Sequence, residues 1–199
     1  MKDLRAGFEK FRSEKFTEMA SHFAALADGQ SPEVLMITCS DSRIDPGLIC
    51  QSKPGEIFVI RNAGNIVPAS GSGSGGEVAT VEYAVKALKI PHIIVCGHSK
   101  CGAMGAVLDP ASASSLGHVC SWIEHAKGAL HEGDDLDTLV ENNVLQQLEN
   151  LRSHDFVADA ERAGDLALHG WVYRFEVGEI LEYDADRDGF VPIGGTAEV

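Results

Sequence analysis

The 199-residue sequence has no apolar run near the roughly 20 residues that cross a bilayer, so no membrane partner is expected. Its first eleven residues intersperse charge with Leu4, Phe8 and Phe11, and lack the apolar centre and small-residue cleavage site of an export signal. A cytoplasmic location is therefore expected. Basic residues are scarce, 16 Lys and Arg against 30 Asp and Glu, and the net charge of −14 argues against a nucleic-acid surface. Five cysteines, an odd number with no export signal, do not read as a disulfide framework, which leaves metal binding or buried thiols. There are no internal repeats. The one low-complexity stretch, Gly71 to Gly76, has no strand leading into it and no Lys-Ser/Thr ending, so it is read as a flexible loop before a helix rather than a phosphate loop.

What is present reads as one α/β domain over 1–199, with a helical arm at 1–28 and an α/β core at 33–185. From Leu4 to Leu26 apolar residues recur every three or four positions, the spacing of an amphipathic helix or of two short ones broken near Ser13. Asp28-Gly29-Gln30-Ser31-Pro32 closes that arm with turn residues. Three continuous apolar runs, Val34–Cys39, Ile57–Ile60 and His92–Cys96, have the character of strands buried on both faces of a parallel sheet. Glu77 to Leu88 fits a helix between the second and third, which implies a crossover connection. Helical patterns follow through Trp122 to Leu130 and Leu136 to Leu151, and the chain closes with an edge strand and an antiparallel hairpin between Leu166 and Tyr183. The expected fold is a central, mostly parallel sheet flanked by helices.

Chemistry gathers where two of those strands end. The first ends in Cys39-Ser40-Asp41-Ser42-Arg43, the third in Gly97-His98-Ser99-Lys100-Cys101-Gly102. Ligand sites of open α/β sheets lie at such carboxyl ends, so both segments are expected to face one crevice. His98 and Cys101, three residues apart, can turn toward one ion. With Cys39 they make two thiolates and an imidazole, a set suited to tetrahedral zinc with one position left for water or substrate. Asp41 and Arg43 share a side if the segment stays extended, and the arginine favours the ionised carboxylate. That carboxylate can orient a water on the metal, close the site as a fourth ligand, or serve only as a salt bridge. Cys50, Cys96 and Cys120 are expected to be buried thiols, and the other histidines surface or packing residues.

These residues closely resemble the β-class carbonic anhydrases, in the plant and cyanobacterial-like branch. Cys39 to Arg43 is similar to that family's first signature, Gly97 to Gly102 to its second. Glu56 to Asn65, Glu82-Tyr83-Ala84-Val85 and His169 to Tyr173 also match, so the resemblance spans roughly residues 25 to 185. It implies Zn2+ on Cys39, His98 and Cys101, and reversible hydration of carbon dioxide to bicarbonate by zinc-hydroxide attack. Asp41 and Arg43 would act as the catalytic pair, with Asp41 a fourth ligand in a closed state. Gln30 and the N–H of Gly102 would bind substrate, and Phe58, Ala63 and Tyr83 would line an apolar pocket shared with a neighbouring subunit of a homodimer or higher oligomer. Members regulated by bicarbonate carry a Trp with an Arg and a Tyr. Here Arg61 and Tyr173 match but Met36 stands at the Trp position, so that pocket is expected to be absent or weak and Asp41 is expected to rest on Arg43. Two other readings keep the metal: hydrolysis of carbon disulfide or carbonyl sulfide on the same framework, and a non-catalytic zinc sensor.

Overall fold

A computed structural model of the chain describes residues 3–73 and 75–194. The arm is three short helices, α1 (Leu4–Ser13), α2 (Lys15–Glu18) and α3 (Ala20–Leu26), broken at Glu14 and Met19. The break near Ser13 is the one the apolar spacing predicts, and a second falls at Met19. Rings of Phe16 and Phe23 stack at 5.4 Å and Phe11 meets Phe23 edge-on at 6.2 Å, while Leu4 and Phe8 stand exposed. The arm joins the core through His22, whose Nε2 lies 2.8 Å from the Pro54 carbonyl.

Strands β1 (Val34–Cys39), β2 (Ile57–Asn62), β3 (His92–His98), β4 (Ala167–Arg174), β5 (Glu179–Asp184) and β6 (Gly189–Pro192) form one sheet in the order β2-β1-β3-β4-β5-β6. The first four strands in that order run parallel and the last two pairings are antiparallel. The apolar runs become the interior strands: every residue of β1 after Val34, and of β3 after His92, is buried. Two details at the C-terminal end depart from expectation. The stretch read as an edge strand is β4, an interior neighbour of β3, and the edge is β6, which lies beyond residue 185. The Asp-rich segment before β6 looks like the end of a core but is a turn. The Asp184 carboxylate accepts the N–H groups of Asp186 and Arg187, and Tyr183 donates to Asp188 at 2.8 Å.

Helix α4 (Pro46–Ile49) separates β1 from β2. The predicted crossover helix is α5 (Gly76–Glu82), widening into a π-helical turn over Tyr83–Leu88 that Lys89 closes at φ +56°. After β3 come α6 (Gly102–Leu108), α7 (Gly117–Ile123), α8 (Leu136–Arg152) and α9 (Asp155–Ala163), with 3-10 turns at Pro110–Ala113 and Glu124–Ala129. Asp135 caps α8 by accepting the Thr138 N–H at 2.8 Å, and Leu139, Val140, Val144, Leu148 and Leu151 make its buried stripe.

Two glycines let α8 approach the sheet. A Cβ on Gly97 would stand 2.9 Å from Val144 Cγ2, and one on Gly170 3.0 Å from Val144 Cγ1. Gly97→Ala should therefore destabilise the protein by about 1–3 kcal/mol through overpacking. The check is a urea titration, and an unmoved midpoint would mean that α8 backs away freely.

The same helix carries a buried polar ladder facing the loop after β2. Asn143 Nδ2 donates to Gly64 O at 3.0 Å, Gln147 Oε1 accepts from Val67 N at 2.9 Å, and Asn150 Nδ2 donates to Val67 O at 2.9 Å. Gln147 also bonds both other members. Loop backbone that would otherwise be buried unpaired is thus satisfied and held in one conformation.

Candidate metal centre

Strand β1 lies between β2 and β3, so the chain leaves it to one side and returns on the other. The gap between the carboxyl ends of β1 and β3 is the switch point of the sheet, where side chains converge from both directions. Cys39 ends β1, His98 ends β3, and Cys101 precedes α6. Lys100, at φ +54°, reverses the backbone between the last two so that both face inward. All three are buried, and their ligand atoms lie within 4.8 Å of one another. The sequence expectation of a shared crevice is met.

His98 is set for metal binding by its neighbours. Its Nδ1 donates to the Ser99 carbonyl at 2.8 Å, which leaves the lone pair on Nε2. That Nε2 is buried with no hydrogen-bond partner among the described residues. An acceptor buried without a partner costs about 1–3 kcal/mol, a penalty that a cation at this point removes. Ser99 is itself fixed, its N–H donating to Tyr173 O at 3.0 Å and its hydroxyl to Glu176.

The thiols tell the same story. The Cys39 thiol is pulled well below its usual value, chiefly because its sulfur accepts a hydrogen bond from Cys101, helped by the N–H groups of Gly64 and Asp41. The same contact pushes Cys101 upward. Two sulfurs sharing one proton this way are the arrangement in which a divalent cation displaces the proton. The donor set therefore fits a borderline-soft metal such as zinc.

Asp41 and Arg43 do pair, though not along an extended segment. The chain turns after Ser40. Asp41 Oδ1 accepts both the backbone N–H and the Nε–H of Arg43 at 2.9 Å, while Oδ2 accepts from Nη2 at 2.7 Å. This two-pronged grip holds the Asp41 carboxyl well below the usual carboxylate range, against the opposing effect of its burial. Arg43 is anchored in turn by Lys100 O at 3.0 Å and by the Phe175 ring, 4.6 Å below its guanidinium. Asp41 Oδ2 reaches to 3.9 Å from His98 Nε2, so the carboxylate borders the ligand triangle while resting on its arginine.

Arg61, prominent in the sequence only as part of a possible anion pocket, has a different task. Its Nε donates to Cys39 O at 3.1 Å, and its Nη2 to Asp41 O at 2.8 Å and Ile44 O at 2.9 Å. It staples the loop that carries Asp41 to β2. Met36, in the expected Trp position, is fully buried. The resemblance places the loop after β2 beside the site, but sequence reasoning missed its contacts: Gly64 N–H donates to Cys39 Sγ at 3.4 Å, and Trp122 Nε1 donates to Ala63 O at 2.8 Å. The α8 ladder had a signal, since Asn143, Gln147 and Asn150 recur at helical spacing on an otherwise apolar face.

The remaining expected site residues separate into two groups. Gly102 directly follows Cys101, and Ala63 precedes the Gly64 that touches Cys39. Gln30, Phe58 and Tyr83 lie elsewhere. Phe58 is level with Leu35, four residues from the Cys39–Asn62 rung, or about 13 Å at ~3.3 Å per residue. Tyr83 accompanies Phe58, ring centroids 6.2 Å apart, and Gln30 lines a surface hollow with Leu26 and Gly55 beyond the start of β1. Of the other thiols, Cys96 is buried and pushed up to about 12 by that burial, whereas Cys50 and Cys120 are only half-buried.

Two thiols and an imidazole converge at the switch point of an open α/β sheet, beside an ionised carboxylate, and could hold a metal ion in the manner of an α/β metalloenzyme. Comparison with known proteins makes this specific. The family model for carbonic anhydrase matches residues 34–180. A carbonic anhydrase of Pseudomonas aeruginosa is 46% identical over the whole of this chain and 94% of its own length. The structure of the β-carbonic anhydrase CcaA superposes with a TM-score of 0.91 at 44% identity, covering 96% of this chain and 91% of that one. A chain from the tetrameric β-carbonic anhydrases of Sordaria macrospora gives 0.73 at 29% identity, covering 90% and 94%. The chain belongs to the carbonic anhydrase family, in its β class. It is an enzyme of reversible carbon dioxide hydration, and neither the sulfur-analogue hydrolase nor the zinc sensor is favoured. No helix among the described residues is long and apolar enough to cross a membrane.

Proposed function

We propose that Cys39, His98 and Cys101 hold Zn2+, that Asp41 rests on Arg43 in the working state, and that a second copy of the chain completes the substrate pocket. The observation that carries the metal assignment is the unpartnered Nε2 of His98, buried within 4.8 Å of two sulfurs. Zinc bound there supplies Lewis acidity, which brings the pKa of a coordinated water to about 7.

The protein's own groups do the positioning. Asp41, kept ionised by Arg43, accepts a hydrogen bond from the attacking oxygen and turns its lone pair toward the substrate carbon. It is too weak a base to take that proton itself. Arg43 also restrains Asp41 from the metal, because swinging over would break three hydrogen bonds. Carbon dioxide has no charge or dipole to grip, which suits the apolar surface of Ala63 and of Phe58 and Tyr83. The N–H of Gly102 and the amide of Gln30 steady the developing bicarbonate.

Phe58, Tyr83 and Gln30 lie too far along the sheet to serve the metal centre of their own chain, so in this reading they serve that of a partner. The exposed Val59 and Tyr83 on the β2 side and the exposed Leu4 and Phe8 of the arm supply apolar surface for such contact. The tetrameric assembly of the Sordaria macrospora enzymes supports the same reading. A cytoplasmic location is supported by cysteines that serve as proposed metal ligands or stay unpaired, with none in a disulfide among the described residues.

The test is metal analysis together with hydration rates for the wild type and Asp41→Asn. About one zinc per chain is expected in both, and loss of orientation should lower kcat/KM of the variant about 100-fold. Asp41 also predicts a stability profile for the metal-free protein. Its folded pKa lies below the unfolded value of about 3.9, so its contribution is present above that pH and fades as pH falls toward the folded value. Urea midpoints of the wild type and D41N should therefore differ most near neutrality and converge in acid. A gap that widens in acid would show that the ion pair has been read with the wrong sign.

A further inference from the structure

One hydrogen-bonded path reaches the metal centre from a distant helix. Trp122, near the end of α7, donates its indole N–H to the carbonyl of Ala63 at 2.8 Å. That carbonyl belongs to the same peptide unit as the N–H of Gly64, which donates to Cys39 Sγ at 3.4 Å. An amide whose oxygen accepts a hydrogen bond is polarised, and its N–H becomes a stronger donor. The path is thus indole to peptide to sulfur, with the donors aligned in one sense.

The peptide is pinned on its other sides as well. Gly64 sits at φ +83°, and a Cβ there would stand 3.0 Å from Ala103 Cβ and 3.1 Å from Met104 Cε. Asn143 holds the next carbonyl, Gly64 O, from α8. A glycine with this freedom of φ and no room for a side chain fixes where the N–H points. Trp122 then sets how strongly it donates.

We propose that Trp122 is a positioning residue of the metal centre, acting through the Ala63–Gly64 peptide to fix and partly neutralise the Cys39 sulfur. The inference rests on the zinc reading above. A sulfur that receives this hydrogen bond is a poorer electron donor to a metal and a poorer competitor for a proton. Without the indole N–H, the sulfur carries more charge and the loop is less firmly placed.

The experiment uses Trp122→Phe, which deletes the N–H and keeps an aromatic ring, and Trp122→His, which can offer a ring N–H again. Zinc affinity is measured at pH 7 by competition with a chelator of known constant, and Co2+ is substituted to read the sulfur-to-metal charge-transfer band. W122F should bind zinc about tenfold more weakly, because the lost aim of Cys39 outweighs the richer donation of its sulfur, and tenfold is the lower end of the effect of hydrogen-bond partners behind metal ligands. Its cobalt band should move to lower energy, and W122H should bring both part of the way back. A W122F protein with the wild-type zinc constant and cobalt spectrum overturns the proposal, whatever happens to its melting temperature. If W122F does not fold, the wild type still decides by NMR. The Trp122 indole N–H should shift on zinc removal more than that of the half-buried Trp171, whose Nε1 is buried without a partner among the described residues. An indole unmoved by the metal overturns the coupling. Wild-type protein that takes up no zinc would sink the metal reading itself, whereas zinc uptake with an indifferent W122F sinks only the role of Trp122.

Discussion

Alanine in place of His98 should leave carbon dioxide hydration reduced by about a thousandfold or more, with most of the zinc absent from the purified protein. The expectation follows from what the imidazole does in the fold. His98 is fully buried, and its tautomer is fixed by Ser99, so Nε2 is available for a metal and for nothing else among the described residues. Without it, Cys39 and Cys101 can still share a proton, and two thiols do not make the three-ligand set a catalytic zinc needs. The variant also loses the ring that satisfies the Ser99 carbonyl and leaves a cavity, so a fall of about 2–4 kcal/mol in stability is expected beside the loss of activity. Cys50→Ser is the matched control. That thiol is half-buried after α4 and pushed upward by burial alone, so its replacement should leave zinc content and rate near those of the wild type. Near-normal zinc in H98A would sink the ligand assignment.

Much of this centre was legible in the sequence because the chemistry sits where local patterns change. Two apolar runs end abruptly in Cys-Ser-Asp-Ser-Arg and Gly-His-Ser-Lys-Cys-Gly, and polar groups at the ends of buried strands cannot be core filler. Strand β1 was readable to the residue for the same reason. Contacts between a side chain and distant backbone leave no such trace. Arg61 gives no hint in its spacing that it will bind three carbonyls at the end of β1 and in the loop after it, and Trp122 lies 59 residues from the peptide it grips. The Asp41–Arg43 pair was expected for a geometry the chain does not adopt, since the carboxylate that binds the guanidinium also captures Arg43 N–H and turns the segment. Strand β6 was hidden by its brevity and by the charged turn before it. Gln30, Phe58 and Tyr83 were named from resemblance, and only the strand register and the contacts around it reveal that they lie at the other end of β1 and β2 from Cys39.

That separation leads to a prediction about mixed assemblies. Gln30→Ala and His98→Ala chains, each nearly inactive alone, should recover activity when refolded or expressed together. In a two-fold dimer the contact is self-complementary, so under the proposed shared pocket each site would take its metal ligands from one chain and Gln30 from the other. A hybrid then holds one site with both defects and one with neither. Random pairing makes half of the dimers hybrids, and the mixture should reach about a quarter of the wild-type rate per chain. Gln30 lies beyond the start of β1, and the length of that strand, about 16 Å at ~3.3 Å per residue, separates it from Cys39 of its own chain. No side-chain rotation closes such a gap, so a Gln30 that matters must act on a partner. Activity in the mixture equal to the average of the two parents would mean that each chain builds its site alone, and that Gln30 reaches substrate by a path the fold of one chain does not offer.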